Sequence, residues 1–256
     1  MVVPSPSPGA EQNILYGVAA ISDSDVWAVG AREDSAGLWH TLTEHWNGSH
    51  WSIVSSVDPG VNGNQLYAVK AVASNDVYAV GQQAGAGFPN RALIEHWDGN
   101  AWRVTPSPID LATVLPLGVD ATTSSLTLVG QHETDTAPYT TYVAAGAPHA
   151  LTKQNTPNAG SGENDLFCAA TASDGSTWAV GWDIDPSTGN HDPLVLQGTR
   201  RRWSLISTSA LPERFRGYYC HSRRRPVGCR GNFEPTGELR DINRIPPVIV
   251  QVSLLA

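Results

Sequence analysis

A short segment ending in Val-Gly recurs four times at nearly constant spacing: Asp25-Val26-Trp27-Ala28-Val29-Gly30, Asp76-Val77-Tyr78-Ala79-Val80-Gly81, Leu126-Thr127-Leu128-Val129-Gly130 and Thr177-Trp178-Ala179-Val180-Gly181. The closing glycines lie 51, 49 and 51 residues apart. A period near fifty in a β-type pattern means one supersecondary unit repeated radially or in a stack, because a single unit cannot bury its apolar face alone.

Each unit holds four short β-like runs in the same order; in the first they are Leu15 to Ile21, Val26 to Gly30, Leu38 to Trp46 and Trp51 to Val54. Four strands per unit is the content of one propeller blade, so the expected fold is all-β, an incomplete β-propeller of four-stranded blades of about 50 residues. Residues 1–14 read as the remnant of a preceding blade, since Val3 to Pro8 resembles the end of the second unit, Val104-Thr105-Pro106-Ser107-Pro108. Residues 15–206 read as four blades, about 15–58, 59–108, 109–158 and 159–206, and 207–256 as a damaged fifth. On this reading the open frame begins inside a longer array. The first run carries a small residue at a fixed place (Gly17, Ala68, Gly118, Cys168), as crowding of innermost strands near an axis demands. Cys168 accordingly reads as a small buried hydrophobe. Asn47-Gly48 and Asp98-Gly99 predict two-residue type I′ hairpins in which Trp46 faces Ser49, His45 faces His50 and Glu44 faces Trp51.

The links between first and second strands are short throughout (Ser22-Asp23-Ser24, Ser74-Asn75, Ser173 to Ser176). Links from second to third strand, and from blade to blade, are long and unlike one another, for example Gln82 to Asn90 and Asp183 to Asp192. In a four-stranded meander both long kinds emerge on one side, which predicts a trimmed face and a diversified face for binding.

The body is acidic and the end basic: 1–199 hold five Lys or Arg, whereas eleven of the sixteen fall between Arg200 and Arg244. No run of eighteen apolar residues exists, so no helical membrane span is expected, and the first residues lack a signal peptide's basic and apolar regions. A reading shifted by one base accounts for the basic end. The codons that spell Gly217 to Gly231, read one base later, permit Ala-Ile-Thr-Ala-Ile-Pro-Gly-Gly-Asp-Leu-Trp-Ala-Val-Gly, which matches Gly17 to Gly30 without a gap 200 positions later. Asp241 to Ile245 likewise permits Thr-Leu-Thr-Glu, the counterpart of Thr41 to Glu44. Residues after about Arg216 are therefore expected to be a frameshifted blade. A nucleic-acid arm is the lesser reading, because these arginines have neither aromatic interleaving nor helical period.

The units, with Leu-aromatic-small-Val, Asp-Val-Trp-Ala-Val-Gly, Glu-His-Trp-Asp-Gly and Trp-x-Val-x-x-Pro, resemble the repeats of bacterial, mostly secreted, β-propeller proteins of the broad kelch and galactose-oxidase-like type. The resemblance covers residues 15–206 and is strongest in the first two units. It implies an extracellular or cell-surface parent. Kelch blades usually pair glycines after the second strand, and here Gly30, Gly81, Gly130 and Gly181 stand singly.

No nucleophile elbow, phosphate-cradling glycine loop or HExxH is present. His45 and His96 recur once per unit in Glu-His-Trp, a structural pattern rather than a convergent metal site. Asp183 to Gly189 is similar to a calcium loop but lacks its closing Glu, and Ser173 to Trp178 is similar to the Asp-box turn of sialidase propellers but is one residue short. The expectation is a monomeric, non-catalytic scaffold with no metal and no cofactor, binding a protein or glycan through Arg32, Trp39, Phe88, Arg91, Tyr139, Asp183 and His191. The alternative is a carbohydrate-active enzyme, glycosidase or lyase, with carboxylates on the long loops.

Overall fold

The computed structural model describes residues 3–85, 90–105, 113–133, 138–199 and 202–207. Its sixteen strands form four separate antiparallel sheets, each a simple meander in chain order. Blade 1 contains β1 (Asn13–Ser22), β2 (Asp25–Glu33), β3 (Trp39–Trp46) and β4 (Trp51–Ile53); blade 2 contains β5 (Asn64–Ala73), β6 (Asp76–Gln83), β7 (Arg91–Trp97) and β8 (Trp102–Val104). Blade 3 contains β9 (Val114–Ala121), β10 (Leu126–His132), β11 (Thr140–Ala147) and β12 (Ala150–Lys153); blade 4 contains β13 (Asn164–Thr171), β14 (Thr177–Ile184), β15 (His191–Thr199) and β16 (Arg202–Leu205). The first strands pack on one another around a common axis, so the molecule is a β-propeller, incomplete as described. No helix is long and apolar enough to cross a membrane among these residues.

The period-two alternation of each strand sends one set of side chains forward to the next blade and the other set back. Trp27 and Val29 go forward and meet Leu66, Val77, Ala79, Leu93 and Trp102 of blade 2. Tyr78, Val80 and Ile94 meet Leu126, Leu128, Tyr142 and Leu151 of blade 3, and Val129 and Val143 meet Leu166, Ala179, Leu194, Leu196 and Trp203 of blade 4. The tryptophans of the repeat therefore serve the seams: the Trp27 ring lies 4.9 Å from Trp97 and 5.2 Å, edge-on, from Trp102. In the third unit Leu151 takes the seat that Trp51, Trp102 and Trp203 hold in the others, which is how that unit dispenses with tryptophan.

The recurring glycine has a steric cause. Leu15 pairs with Gly30 and Gly17 with Val29, which leaves Tyr16 as an extra residue, and the same break frees Tyr67, Leu117 and Phe167 in the other blades. Each first strand thus carries a β-bulge opposite the Val-Gly glycine. A Cβ on Gly30, Gly81, Gly130 or Gly181 would stand 1.8, 1.9, 2.0 or 1.7 Å from the carbonyl oxygen of Ile14, Gln65, Leu115 or Asp165 respectively. Only glycine lets the bulged backbone lie that close. Gly81→Ala is expected to cost roughly 2–4 kcal/mol of stability, read as a lowered denaturant midpoint, because the clashing atom is backbone and cannot rotate away.

Two sequence expectations need correction here. The hairpins of blades 1 and 2 pair Trp46 with Trp51 and Trp97 with Trp102 across four-residue loops, two residues out of the expected register. The Asn47 Oδ1 accepts from the backbone N–H groups of Ser49 and His50, and Asp98 Oδ1 from those of Asn100 and Ala101, so the side chain closes a wider turn in which only the glycine takes positive φ. Cys168 is also half-buried and not fully enclosed, lining the axial cavity with Gly17, Ala68 and Gly118.

Candidate functional site at the axial mouth

The bulges decide where the site lies. Each aims one large side chain at the axis near the long-link face, and Tyr16, Tyr67, Leu117 and Phe167 meet there as a buried plug. Trp39, Trp182, Ile14 and Leu115 pack against it. Beneath the plug, the first strands of all four blades line a cavity of about 210 Å³. Its charged residues, Lys70 and Asp120, hold equivalent places in neighbouring blades and pair at 2.8 Å, with the Thr171 N–H donating to the other Asp120 oxygen. That pair is satisfied within the scaffold.

Above the plug the four equivalent positions are Ile14, Gln65, Leu115 and Asp165, so blade 4 alone puts a carboxylate at the axial opening. Asp165 is 7% exposed. Its Oδ2 accepts from the Trp182 indole N–H at 3.0 Å, whereas its buried Oδ1 has no partner among the described residues. Burial, reinforced by the charges of Glu163 and Glu133, pushes the carboxyl up to about 6, and the Trp182 bond offsets this only in part. The same carboxylates raise the Tyr139 phenol above its usual value, after burial itself. Glu133, Tyr139, Glu163 and Asp165 therefore share one electrostatic neighbourhood where the β10–β11 loop meets the entry to β13. The backbone bond from Asn164 N to Tyr139 O, 2.9 Å, ties the two segments together.

The residues expected from sequence to bind a ligand distribute unevenly over this face. Trp39 joins the axial aromatic group, Tyr139 joins the carboxylates, and His191 stands edge-on to Trp182 at 4.6 Å. Asp183 lies next to Asp185 and Asp192, and burial and their charge hold its carboxyl above the usual range. Arg32 lies next to the end of β2 opposite His40, and Arg91 opens β7 at the exposed rim. Phe88 lies outside the described residues. Asp165, Glu163, Glu133 and Trp182 are additions that loop length did not reveal. The signal for Asp165 was present in the alignment of units, as an acid where Ile14, Gln65 and Leu115 stand.

Other polar constellations hold the scaffold. His45 and His96 each place Nε2 2.8 Å from the Asp at the start of the second strand of the same blade, Asp25 and Asp76. His40 stands between Asp34 and Asp58, tying a long loop to the link into blade 2. Asp185 accepts from Ser187 N and Oγ inside its own turn, and Asp174 accepts in the same way from Ser176. Among the described residues no three His, Cys, Asp or Glu converge as a metal site would.

No protein-family model matches this chain, and no curated protein matches it. Solved structures do. A YCF48 structure bound to a D1 peptide is 13% identical with a TM-score of 0.42, over 75% of this chain and 52% of that one. A structure from the GH130 family of mannoside phosphorylases, described as containing glycoside hydrolases that target β-1,2 mannosidic linkages in Candida mannan, is 10% identical with a TM-score of 0.48, over 77% and 70%. The α-L-arabinofuranosidase PaAbf62A from Podospora anserina is 13% identical with a TM-score of 0.43, over 78% and 71%. This chain thus spans about half the length of the first. Likeness at this level shows the β-propeller fold alone. The expectation of a non-enzyme is withdrawn: the structures found include glycoside-cleaving enzymes, and the lack of a recognisable nucleophile motif is no ground for excluding catalysis.

Proposed function

We propose that the long-link face is the working face of a carbohydrate-active propeller that cleaves glycosidic bonds by paired carboxylate chemistry. The observation that carries this reading is Asp165: an enclosed carboxyl at the axial opening, raised to about 6, with one oxygen unpartnered among the described residues. A general acid must hold its proton near working pH and lose it to the departing oxygen, and burial beside other carboxylates produces that state. In this scheme Asp165 protonates the glycosidic oxygen as the C–O bond breaks. Glu133 or Glu163, half-buried and so less enclosed, acts at the anomeric carbon, directly or through water. In this scheme Trp39, Trp182 and Tyr139 supply faces for a sugar ring, and Arg32 and His191 bind its hydroxyl groups.

The test is release of reducing sugar by the full chain from a panel of α- and β-linked oligosaccharides. Activity falling as pH rises through about 6 supports the assignment. Saturable binding across the panel with no bond cleavage at any pH sinks it.

A further inference from the structure

Three seams of the propeller are closed and two blade faces are left over. On blades 1, 2 and 3 the forward-facing pair of the second strand is sealed: Trp27 and Val29 are 2% and 0% exposed, Tyr78 and Val80 are 6% and 0%, and Thr127 and Val129 are 6% and 0%. The same pair on blade 4, Trp178 and Val180, is only half-buried, and so is Val195 beside it. On the backward face of blade 1, Leu15 is 40% exposed where its counterparts Leu66 and Leu166 are at 0%. Val26 and Trp51 are half-buried there, where Val77 and Trp102 are buried.

These two faces carry the residue types of a sealed seam. Trp178-Ala179-Val180 repeats Trp27-Ala28-Val29, and Leu15, Val26, Leu42 and Trp51 repeat Leu66, Val77, Leu93 and Trp102. Sequence that is invested in a seam marks a face built to be covered.

The chain also enters blade 1 as though leaving another blade. Gly9 N donates to Asn13 Oδ1 at 2.7 Å, as Gly60 N does to Asn64 Oδ1 at 2.8 Å on the way into blade 2. Glu33 N donates to Gln12 O at 2.8 Å, as Ala84 N does to Gly63 O at 2.8 Å. Residues 9–13 thus reproduce an inter-blade link bond for bond, with blade 1 in the role of the receiving blade.

We infer that the sector between blade 4 and blade 1 is the seat of a fifth blade of this same repeat, encoded from codon 217 onward read one base later. Two independent features agree on that occupant, the open faces and the shifted reading. The forward face of blade 4 and the backward face of blade 1 need one sheet with the seam residues of the others. The shifted reading permits Leu-Trp-Ala-Val-Gly ending at the codons of Arg230 and Gly231, 49 residues after Gly181 and so one period on. The aligned stretch runs 14 residues without a gap against Gly17 to Gly30, so its first strand, short link and second strand all have the right length.

The experiment compares the 256-residue chain with a frame-restored chain in which one base is deleted just before codon 217. The gene's own codons come first: Val227 and Gly228 must together spell Trp in the shifted frame, and codons that spell another residue overturn the inference. Frame restoration is then expected to raise the thermal midpoint by roughly 10 °C or more, since it buries two apolar faces at once. A Trp178→Phe variant of each chain isolates the Trp178 emission, which is expected to shift to the blue and lose most of its iodide quenching only in the restored chain. An unchanged midpoint, or a Trp178 equally quenched in both, overturns the proposal. So does a concentration-dependent dimer of the unrestored chain that already protects Trp178, because a second copy would then be the occupant.

Discussion

Asp165→Asn is expected to lower glycoside turnover about 100-fold or more while leaving oligosaccharide affinity nearly unchanged. The amide keeps an oxygen for the Trp182 N–H and keeps the shape of the group, so a loss of rate without a loss of binding isolates the proton. The pH profile distinguishes a reacting acid from a positioning residue. In the parent chain the rate falls as pH rises through about 6, where Asp165 gives up its proton, and the variant's residual rate no longer follows that limb. Stability moves the opposite way. A carboxyl whose folded value lies above its unfolded value of about 3.8 stabilises the fold fully only below that value and loses the contribution as pH climbs through about 6. The variant is therefore as stable as the parent in acid and more stable at pH 8. Glu133→Gln and Glu163→Gln, tested singly, identify the second carboxylate, because only the one that acts at the anomeric carbon gives a comparable loss. Parental turnover in the Asp165 variant at every pH would remove the assignment.

Glu95 is expected to cost the propeller on the order of 4 kcal/mol of stability between pH 4.5 and pH 8, and Glu95→Gln is expected to remove the largest single share of the pH dependence. Glu95 sits on β7 facing blade 1 with no exposed surface. One oxygen accepts only a long bond, 3.5 Å, from Val57 N, and the other has no partner among the described residues. Burial pushes this carboxyl up to about 8. Its folded value lies above its unfolded one, so its stabilising contribution is complete below about 4.5 and is lost as pH rises through about 8. Glu44, one period earlier, adds a smaller slope of the same sign, since burial raises it to about 7. The residue one period before Val57 is Pro6, which has no N–H to offer, and both Glu44 oxygens are without partners among the described residues. Urea midpoints of the parent, Glu95→Gln and Glu44→Gln chains across this range test the claim. A parent midpoint that stays flat from pH 5 to pH 8 refutes it.

Much of the fold was legible because a repeat states the same constraint several times. Val-Gly at fixed spacing, one small residue in each first strand and a tryptophan on each side of the hairpin led to blades, strand order and the two unlike faces. The hairpin register was misread because Asn-Gly is a local signal, and the Asn47 side chain closes a wider loop just as cheaply. The site was less visible. Arg32, Trp39, Tyr139 and His191 were expected on this face from loop length, but Asp165 lies inside a strand, and no local motif distinguishes an acid aimed at an axis from one aimed at solvent. The non-enzyme reading rested on missing motifs, and acid–base chemistry by carboxylates needs no sequence motif, only convergence.

Composition and periodicity alone determined that this chain is a ring of like sheets whose apolar faces seal one another, because a fifty-residue meander has no other way to bury both of its sides. Tertiary structure decided what lies at the hub. A bulge turns one side chain per blade inward only when a glycine stands across from it, and the chemistry gathered above that plug depends on which residue of each unit happens to come two positions earlier. Burial does the rest: the Asp165 carboxyl is pushed up to about 6 by what surrounds it in space, and that surrounding is assembled from segments that are far apart along the chain.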